Sequence, residues 1–101
     1  MSAAALDPTI ILVEDMIMKG DTGIPIRLKK YFFKATKVTQ SDWVVTATYF
    51  PGTYLKGHAT TIDSSGDGAD ETLTYVSSGT KLTLGSANTG TVYGEVIVQV
   101  A

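Results

Sequence analysis

The densest group of side chains able to bind a metal ion lies in one acidic, glycine-rich segment, residues 63–71. It reads Asp-Ser-Ser-Gly-Asp-Gly-Ala-Asp-Glu. Oxygen-bearing residues stand at the first, third and fifth positions of an EF-type calcium loop, and Gly68 stands at its sharp turn. The twelfth position is Thr74, whereas such loops have a bidentate Glu there. We therefore predict a solvated hairpin tip and no cofactor. The alternative is a weak Ca²⁺ site with the ligands Asp63, Asp67 and Asp70.

Groups suited to catalysis are sparse in the rest of the chain. His58 is the only histidine, and the chain has no cysteine, which excludes disulfides, thiolate metal sites and multi-histidine metal sites. No Gly-x-Ser-x-Gly elbow or glycine-rich phosphate loop is present. The paired carboxylates at residues 14–15 and 70–71 would point to opposite faces of a strand. The sequence therefore predicts a protein that is not an enzyme.

The bulk composition predicts one small domain rich in β-structure. The chain has 101 residues, and Thr, Val and Ile supply 31 of them; these β-branched residues favour strands. The net charge of −2 is too small to indicate a nucleic-acid or membrane partner. The apolar run at residues 10–13 is too short to span a membrane, and residues 1–5 lack the basic segment of a signal peptide. We expect synthesis and folding in the cytoplasm.

Alternating apolar residues mark the strands. Residues 72–100 contain three strand-like runs separated by turn clusters, which is typical of a meander. Residues 41–50 alternate with apolar side chains on both parities, which predicts a two-faced strand that is central or at an interface. Residues 24–38 predict a strand with a bulge near residues 31–33, with a helix from residue 28 as the alternative. Residues 9–19 are ambiguous between strand and helix, and we favour a strand over 9–13 only.

The segment from residue 27 to residue 37 is basic and contains no acid. It holds five of the eight cationic residues, together with three consecutive aromatic residues. One interpretation is a solvated face whose lysine stems cover apolar surface. The other is a face that docks on an acidic protein surface or on a phosphate backbone. Aromatic side chains beside lysines in β-rich domains usually belong to the core, so we do not expect a nucleic-acid partner.

Residues 1–8 have mostly small side chains and no clear helix or strand pattern, and Pro8 prevents a regular helix from continuing. We predict a flexible N-terminal arm followed by a single β domain over residues 9–101. Such an arm can order on a neighbouring subunit by adding a strand to an open sheet edge.

Aromatic side chains suggest a second kind of function, a β-sandwich module that binds carbohydrate or another ligand, in one version with calcium. It requires an exposed platform of flat rings. The candidate platform residues are Trp43, Tyr49, Tyr54 and Tyr93.

Three segments carry a resemblance to a known class of proteins: residues 2–5 (Ser-Ala-Ala-Ala), residues 50–57 (Phe-Pro-Gly-Thr-Tyr-Leu-Lys-Gly) and residues 90–98 (Gly-Thr-Val-Tyr-Gly-Glu-Val-Ile-Val). In these segments the chain resembles the small β-rich head-decoration and capsid-stabilising proteins of tailed-phage virions. The resemblance implies a homo-oligomer, such as a trimer, that sits on a capsid. It also implies that residues 2–8 grip a neighbour and that the basic segment meets an acidic capsid surface.

Together these patterns predict a small antiparallel all-β sandwich or partly open barrel of about seven strands. The leading hypothesis is a non-catalytic structural protein that associates with itself and with a larger shell, located in the virion if the protein is viral. The predicted interface residues are Ser2, Ala3, Ala4, Ala5, Leu6, Arg27, Lys29, Lys30, Lys34, Trp43 and Tyr54.

Overall fold

The chain folds into two antiparallel sheets packed face to face, with no closed barrel. This computed structural model describes residues 2–19, 23 and 25–100; residues 1, 20–22, 24 and 101, which the predicted arm and β domain include, lie outside that range. The strands are β1 (Thr9–Lys19), β2 (Pro25–Lys37), β3 (Trp43–Val45), β4 (Thr53–Ile62), β5 (Gly68–Asp70), β6 (Leu73–Val76), β7 (Lys81–Leu84) and β8 (Gly90–Val100). One helical turn, α1 (Thr46–Tyr49), follows β3. The predicted all-β sandwich is confirmed.

The large sheet has the strand order β1-β2-β8-β4-β5, and the small sheet has the order β3-β7-β6. β8 is the central strand of the large sheet. It pairs with β2 without interruption from Arg27 opposite Val100 to Lys37 opposite Gly90, and it pairs with β4 on its other side. The small sheet is much shorter, since its strands have only three or four residues. It therefore covers only part of the inner face of the large sheet.

The core lies between the sheets and follows the predicted period of two. The small sheet contributes Leu82 and Leu84, and β8 contributes Val96 and Val98; none of the four is accessible to solvent. Phe33 of β2 lies directly beneath Gly94. A Cβ atom at Gly94 would stand 2.6 Å from the ring of Phe33, so only glycine lets this ring reach its place. A close backbone approach thus fixes how β2 and β8 pack.

The predicted strand over residues 41–50 is wrong after Val45. The chain turns into α1 there, because the amide nitrogen and the hydroxyl of Thr46 both donate to the carbonyl oxygen of Thr80, at 2.8 and 3.1 Å. This turn directs Phe50 into the core, where its ring centroid lies 5.4 Å from that of Tyr31. β3 is also an edge strand of the small sheet and not a central one. The two-faced strand that supported the assembly hypothesis does not exist.

Three further predictions about strands need correction. β1 continues to Lys19, and the bulge in this hairpin lies in β1 at Ile11, because the register of β1 on β2 shifts between residues 10 and 12. β2 itself has no bulge: Tyr31 and Phe33 face the core, whereas Phe32 faces outward opposite Leu12. The three runs of residues 72–100 are strands, but they do not form a meander, since β8 crosses to the other sheet.

Among the described residues no helix is long and apolar enough to cross a membrane.

Candidate interaction surface

The basic segment is largely neutralised within the domain, so it does not form the open cationic face that we considered. The Nζ atoms of Lys29 and Lys30 lie 3.9 and 3.7 Å from carboxylate oxygens of Asp15 and Glu95, respectively. Lys37 is buried in the core. Only Arg27 and Lys34 have no acidic side chain within 4 Å in the described part of the chain. Lys34 lies over the ring of Tyr93, with its Nζ 5.9 Å from the ring centroid.

Lys37 forms a buried polar cluster with Glu71. Its Nζ donates to Oε1 of Glu71 at 2.6 Å and to the carbonyl oxygen and hydroxyl of Ser86 at 2.8 and 3.1 Å. Oε1 also accepts from the hydroxyl of Thr61 at 2.8 Å, and Oε2 accepts from the amides of Ser86 and Thr72 at 2.8 and 3.0 Å. Every charged atom has a partner inside the protein, so this cluster serves the fold and has no unpaired group to offer a substrate.

The pKa of Glu71 reflects two opposing effects. Burial raises the pKa, because a carboxylate is less stable out of water. The hydrogen bonds from Lys37, Ser86 and Thr61 favour the ionised form and outweigh burial, so that the pKa lies below its ordinary value of 4.5. The interpretation of the basic segment as a solvated face is wrong for Lys37, which is buried. The signal that it missed is the period of two, since Lys37 shares the core-facing parity of Phe33 and Ala35.

The N-terminal segment, predicted to be a flexible arm, is docked on its own domain at residues 4–6. Ala5 forms a parallel bridge with Trp43, flanked by hydrogen bonds from the Leu6 amide to the Trp43 carbonyl at 2.8 Å and from the Trp43 amide to the Ala4 carbonyl at 3.2 Å. The Ala4 amide also donates to Asp42 at 2.9 Å. Leu6 packs against the core. Of the predicted arm interface, Ser2, Ala4 and Ala5 remain exposed, whereas Ala3 and Leu6 are half-buried.

Asp42 is the anchor of this segment. One carboxylate oxygen accepts from the Ala4 amide, and the other accepts from the amides of Val38 and Thr39, each at 2.9 Å. Burial raises the pKa of Asp42, but these three amides, aided by the charge of Lys37, hold it below the ordinary value. The carboxylate therefore ties together the N-terminal segment and the loop between β2 and β3.

The acidic loop folds as a self-contained turn. Asp63 accepts hydrogen bonds from the amides of Ser65 and Asp67 at 2.9 and 3.0 Å. Asp70 lies in β5, where it stands 3.9 Å from Nε2 of the exposed His58. The part of the chain that the structure describes contains no group of three acidic, histidine or cysteine side chains able to hold a metal ion. The predicted Ca²⁺ ligands Asp63, Asp67 and Asp70 are therefore not brought together as a site.

The four rings of the predicted aromatic platform do not come together on one surface. The ring centroid of Tyr49 lies 6.4 Å from that of Phe50, and its hydroxyl donates to Asp7 at 2.7 Å. Tyr54 stacks on Tyr75 between the sheets, with centroids 4.3 Å apart. Trp43 lies under Lys81 on the outer side of the small sheet, with the lysine nitrogen 3.8 Å from its ring centroid. Tyr93 lies on the outer face of the large sheet, on the opposite side of the sandwich. A flat carbohydrate platform made of these rings is therefore wrong.

The largest concentration of exposed apolar side chains in the described chain is on the β1–β2 hairpin, and none of them is among the predicted interface residues. We call this group the hairpin surface; it consists of Ile11, Leu12, Val13, Ile17, Met18 and Ile26. Ile17 is 69% exposed, although a fully exposed isoleucine costs about 1.5–3 kcal/mol relative to a buried one. The signal in the sequence was apolar residues on both parities of β1.

Both faces of the hairpin contribute to this surface. Leu12 lies opposite Phe32 and faces outward, whereas Val13 lies opposite Tyr31 and faces the side of the small sheet. Both are exposed, Leu12 by 52% and Val13 by 42%. β1 is moreover an edge strand, so one side of its backbone has no strand beside it in the described chain. The hairpin thus offers apolar side chains and unpaired main-chain groups together.

A shallow hollow of about 500 Å³ lies beside the base of the hairpin on the outer face of the large sheet. Leu12, Phe32 and Tyr93 give it an apolar lining, and His58 and Glu95 contribute polar groups. It contains no arrangement of nucleophile and base, and the nearest acidic partner of His58 is exposed Asp70.

Comparison of the chain with protein-family models, with curated proteins and with solved structures found no match.

Proposed function

We propose that this protein is a non-catalytic structural protein that associates with itself and attaches to a larger protein shell, in the manner of a capsid-decorating virion component. The observation that carries the proposal is the hairpin surface. Exposed apolar groups of this extent on a small domain mark a protein-binding site, because burying them in a partner removes their contact with water. The resemblance of residues 2–5, 50–57 and 90–98 to phage decoration proteins supports the shell as the partner.

The proposal assigns the interface to the hairpin and not to the basic segment. Lys29 and Lys30 already have acidic neighbours, so their charge is available to a partner only in part. Ile17 and Met18 have no such internal role, being 69% and 55% exposed. Arg27 lies opposite Ile17 on the same face of the hairpin, where it can supply a positive charge at the rim of the apolar contact.

Sedimentation velocity from about 1 to 100 μM, the range in which moderate protein contacts form, tests self-association. We expect the wild-type protein to form an oligomer and the double variant Ile17→Ser, Met18→Ser to stay monomeric. Val38→Ser is the matched control, because Val38 is 55% exposed but lies outside the hairpin. Cosedimentation with assembled tailed-phage capsid shells tests attachment. A wild-type protein that is monomeric throughout and does not bind such shells would disprove the proposal.

A second candidate function is a ligand-binding module that uses the outer hollow. The observation in its favour is the apolar lining by Leu12, Phe32 and Tyr93, with Tyr93 46% exposed. Such a hollow suits a flat apolar or sugar ring, since rings stack on aromatic side chains. Titration with a panel of mono- and disaccharides, followed by protein fluorescence, distinguishes this function from assembly. A binding module should show a saturable change in the wild type that is lost in the Tyr93→Ala variant.

A further inference from the structure

We propose that two copies of the chain pair antiparallel along β1, about a two-fold axis that passes through Ile17. This inference rests on the proposed self-association and names its geometry. β1 is the edge strand of the large sheet, and its described residues run without a further register shift from residue 12 to residue 19. An exposed edge of this kind pairs readily with a strand of another chain through main-chain hydrogen bonds.

Symmetry restricts the possible registers of such a pair. Residues directly opposite each other share a face of the sheet, so a two-fold axis must place one residue opposite its own copy. An axis at Glu14 or Asp15 would place that residue directly opposite its own copy, with the two Cβ atoms about 4.5–5.5 Å apart. Two like charges at this separation destabilise the pair. An axis on the N-terminal side of Glu14 brings the bulge at Ile11 into the pairing. An axis at Lys19 would set two identical ammonium groups opposite each other, which is also destabilising. Only axes at residues 16–18 remain for the described part of β1.

Polarity decides among the three remaining axes. An axis at Met16 sets Asp15 opposite Ile17, and an axis at Met18 sets Lys19 opposite Ile17. Both of these axes therefore place a charged side chain opposite the apolar Ile17, once on each side of the axis. The axis at Ile17 avoids this mismatch: Ile17 meets its own copy, Met16 meets Met18 of the second copy, and Asp15 meets Lys19 of the second copy. Because of the two-fold axis, the contact of Met16 with Met18 and the ion pair of Asp15 with Lys19 each occur twice.

The hairpin also supplies neighbours that suit this pairing. On one face, Met16 lies opposite Leu28 and Met18 lies opposite Ile26 within each hairpin. The paired methionines would therefore join two apolar groups into one continuous patch across the axis. Methionine suits such a contact, because its flexible side chain fills irregular gaps.

On the other face, Asp15 already has Lys29 of its own chain at 3.9 Å. In the pair it would lie between Lys29 and Lys19 of the second copy, so each carboxylate would have a cation on either side. The charges of the two edges are thus complementary to themselves in this register, which is what an isologous contact requires.

Disulfide trapping tests the axis. The chain has no cysteine, so a single introduced cysteine reports on one position. Residues opposite each other in an antiparallel pair have Cα atoms about 4.5–5.5 Å apart, within the range of a disulfide. We expect Ile17→Cys to form covalent dimers at least ten times faster than Ile11→Cys under mild oxidation. Both positions are exposed, so neither change should prevent folding.

A charge exchange provides an independent test. Asp15→Lys alone sets lysines against lysines across the axis, and Lys19→Asp alone sets carboxylates against carboxylates. We expect each variant to associate at least tenfold more weakly than the wild type, and an equimolar mixture to regain association as mixed pairs. If the wild type associates but Ile17→Cys is no faster than Ile11→Cys, or the mixture does not recover, the axis is wrong while the proposed function stands. A monomeric wild type would overturn this pairing, and it would overturn the proposed function as well only if the protein also fails to bind capsid shells.

Discussion

Nζ of Lys37 lies 2.6 Å from Oε1 of Glu71, and neither side chain is accessible to solvent. The pair joins the end of β2 to the residue that follows β5, and Ser86 and Thr61 complete its hydrogen bonds. Fully paired ions of this kind contribute little beyond what an apolar pair would, but they are costly to break. The two residues are 34 positions apart, so the core-facing parity of Lys37 could indicate its burial but not its partner.

Removing one partner should destabilise the domain strongly. We expect Lys37→Met to lower the free energy of unfolding by about 3–5 kcal/mol, because it leaves the carboxylate of Glu71 buried without its cation. The double variant Lys37→Met, Glu71→Leu should cost markedly less than Lys37→Met alone. Urea unfolding at pH 7 measures both. Lys29→Met is the control, since its ion pair is exposed and should change stability by less than about 1 kcal/mol. Equal losses for Lys29→Met and Lys37→Met would contradict the burial of the pair.

Stability should fall in acid through the same carboxylate. The pKa of Glu71 is lower in the folded protein than its ordinary value of 4.5, so the unfolded chain binds the proton more tightly. The ionised carboxylate therefore stabilises the fold above pH 4.5, and this contribution is lost as pH falls through the lower pKa of the folded state. Unfolding of wild type and Glu71→Gln at a series of pH values from 6 to 2 tests this. The variant should show a shallower dependence; Asp42, whose pKa is also lowered, should leave a residual slope. Identical slopes would show that Glu71 does not contribute.

A methyl group at Gly94 should disturb the contact between β2 and β8. Its Cβ atom would lie 2.6 Å from Cζ of Phe33 and 3.0 Å from the Cβ of Ala59. We expect Gly94→Ala to destabilise the fold by about 1–3 kcal/mol, as overpacking does. Adding Phe33→Leu should recover part of the loss, so the two changes should be non-additive. Gly85→Ala is the control, because its added Cβ would meet no atom closer than 3.7 Å. Additive costs for Gly94→Ala and Phe33→Leu would argue against the contact.

The N-terminal segment should detach when its anchor is removed. Asp42→Ala leaves three backbone amides without their acceptor, which we expect to cost about 1–3 kcal/mol. Proteases should then cleave residues 2–8 faster than in the wild type, which mass spectrometry can follow. Asp63→Ala removes two similar bonds in an exposed turn and should leave cleavage of the N-terminal segment unchanged. Cleavage at the wild-type rate in Asp42→Ala would mean that the bridge of Ala5 to Trp43 alone holds the segment.

The sequence predicted the fold class because a period of two is a local property. Leu82 with Leu84, and Val96 with Val98, could be assigned to a buried face without knowing their partners. What failed depended on distant residues. The strand over 41–50 ends because Thr80 offers an acceptor to Thr46, and Thr80 is 34 residues away.

The candidate site was missed for a related reason. The pattern of apolar residues in β1 fits either one face of a helix or a buried strand, and only the three-dimensional structure shows that these side chains are exposed on both faces. The positive charge that the basic segment presents at the surface is smaller than its sequence indicates. The acids that neutralise it, Asp15 and Glu95, lie on the two strands that flank β2. Charge counted along the chain therefore differs from charge presented at the surface.

The position of β8 between β2 and β4 has a consequence for how this protein acquires its structure during translation. The ribosome makes both flanking strands first, yet neither can form its central ladder until the residues from Gly90 onward emerge. Until then the nascent chain has only the β1–β2 hairpin and the short local pairings, with the edges of β2 and β4 open to neighbours on the same polysome. Pairings so distant along the chain form slowly, so chaperone capture at this stage should influence the yield of correctly folded protein.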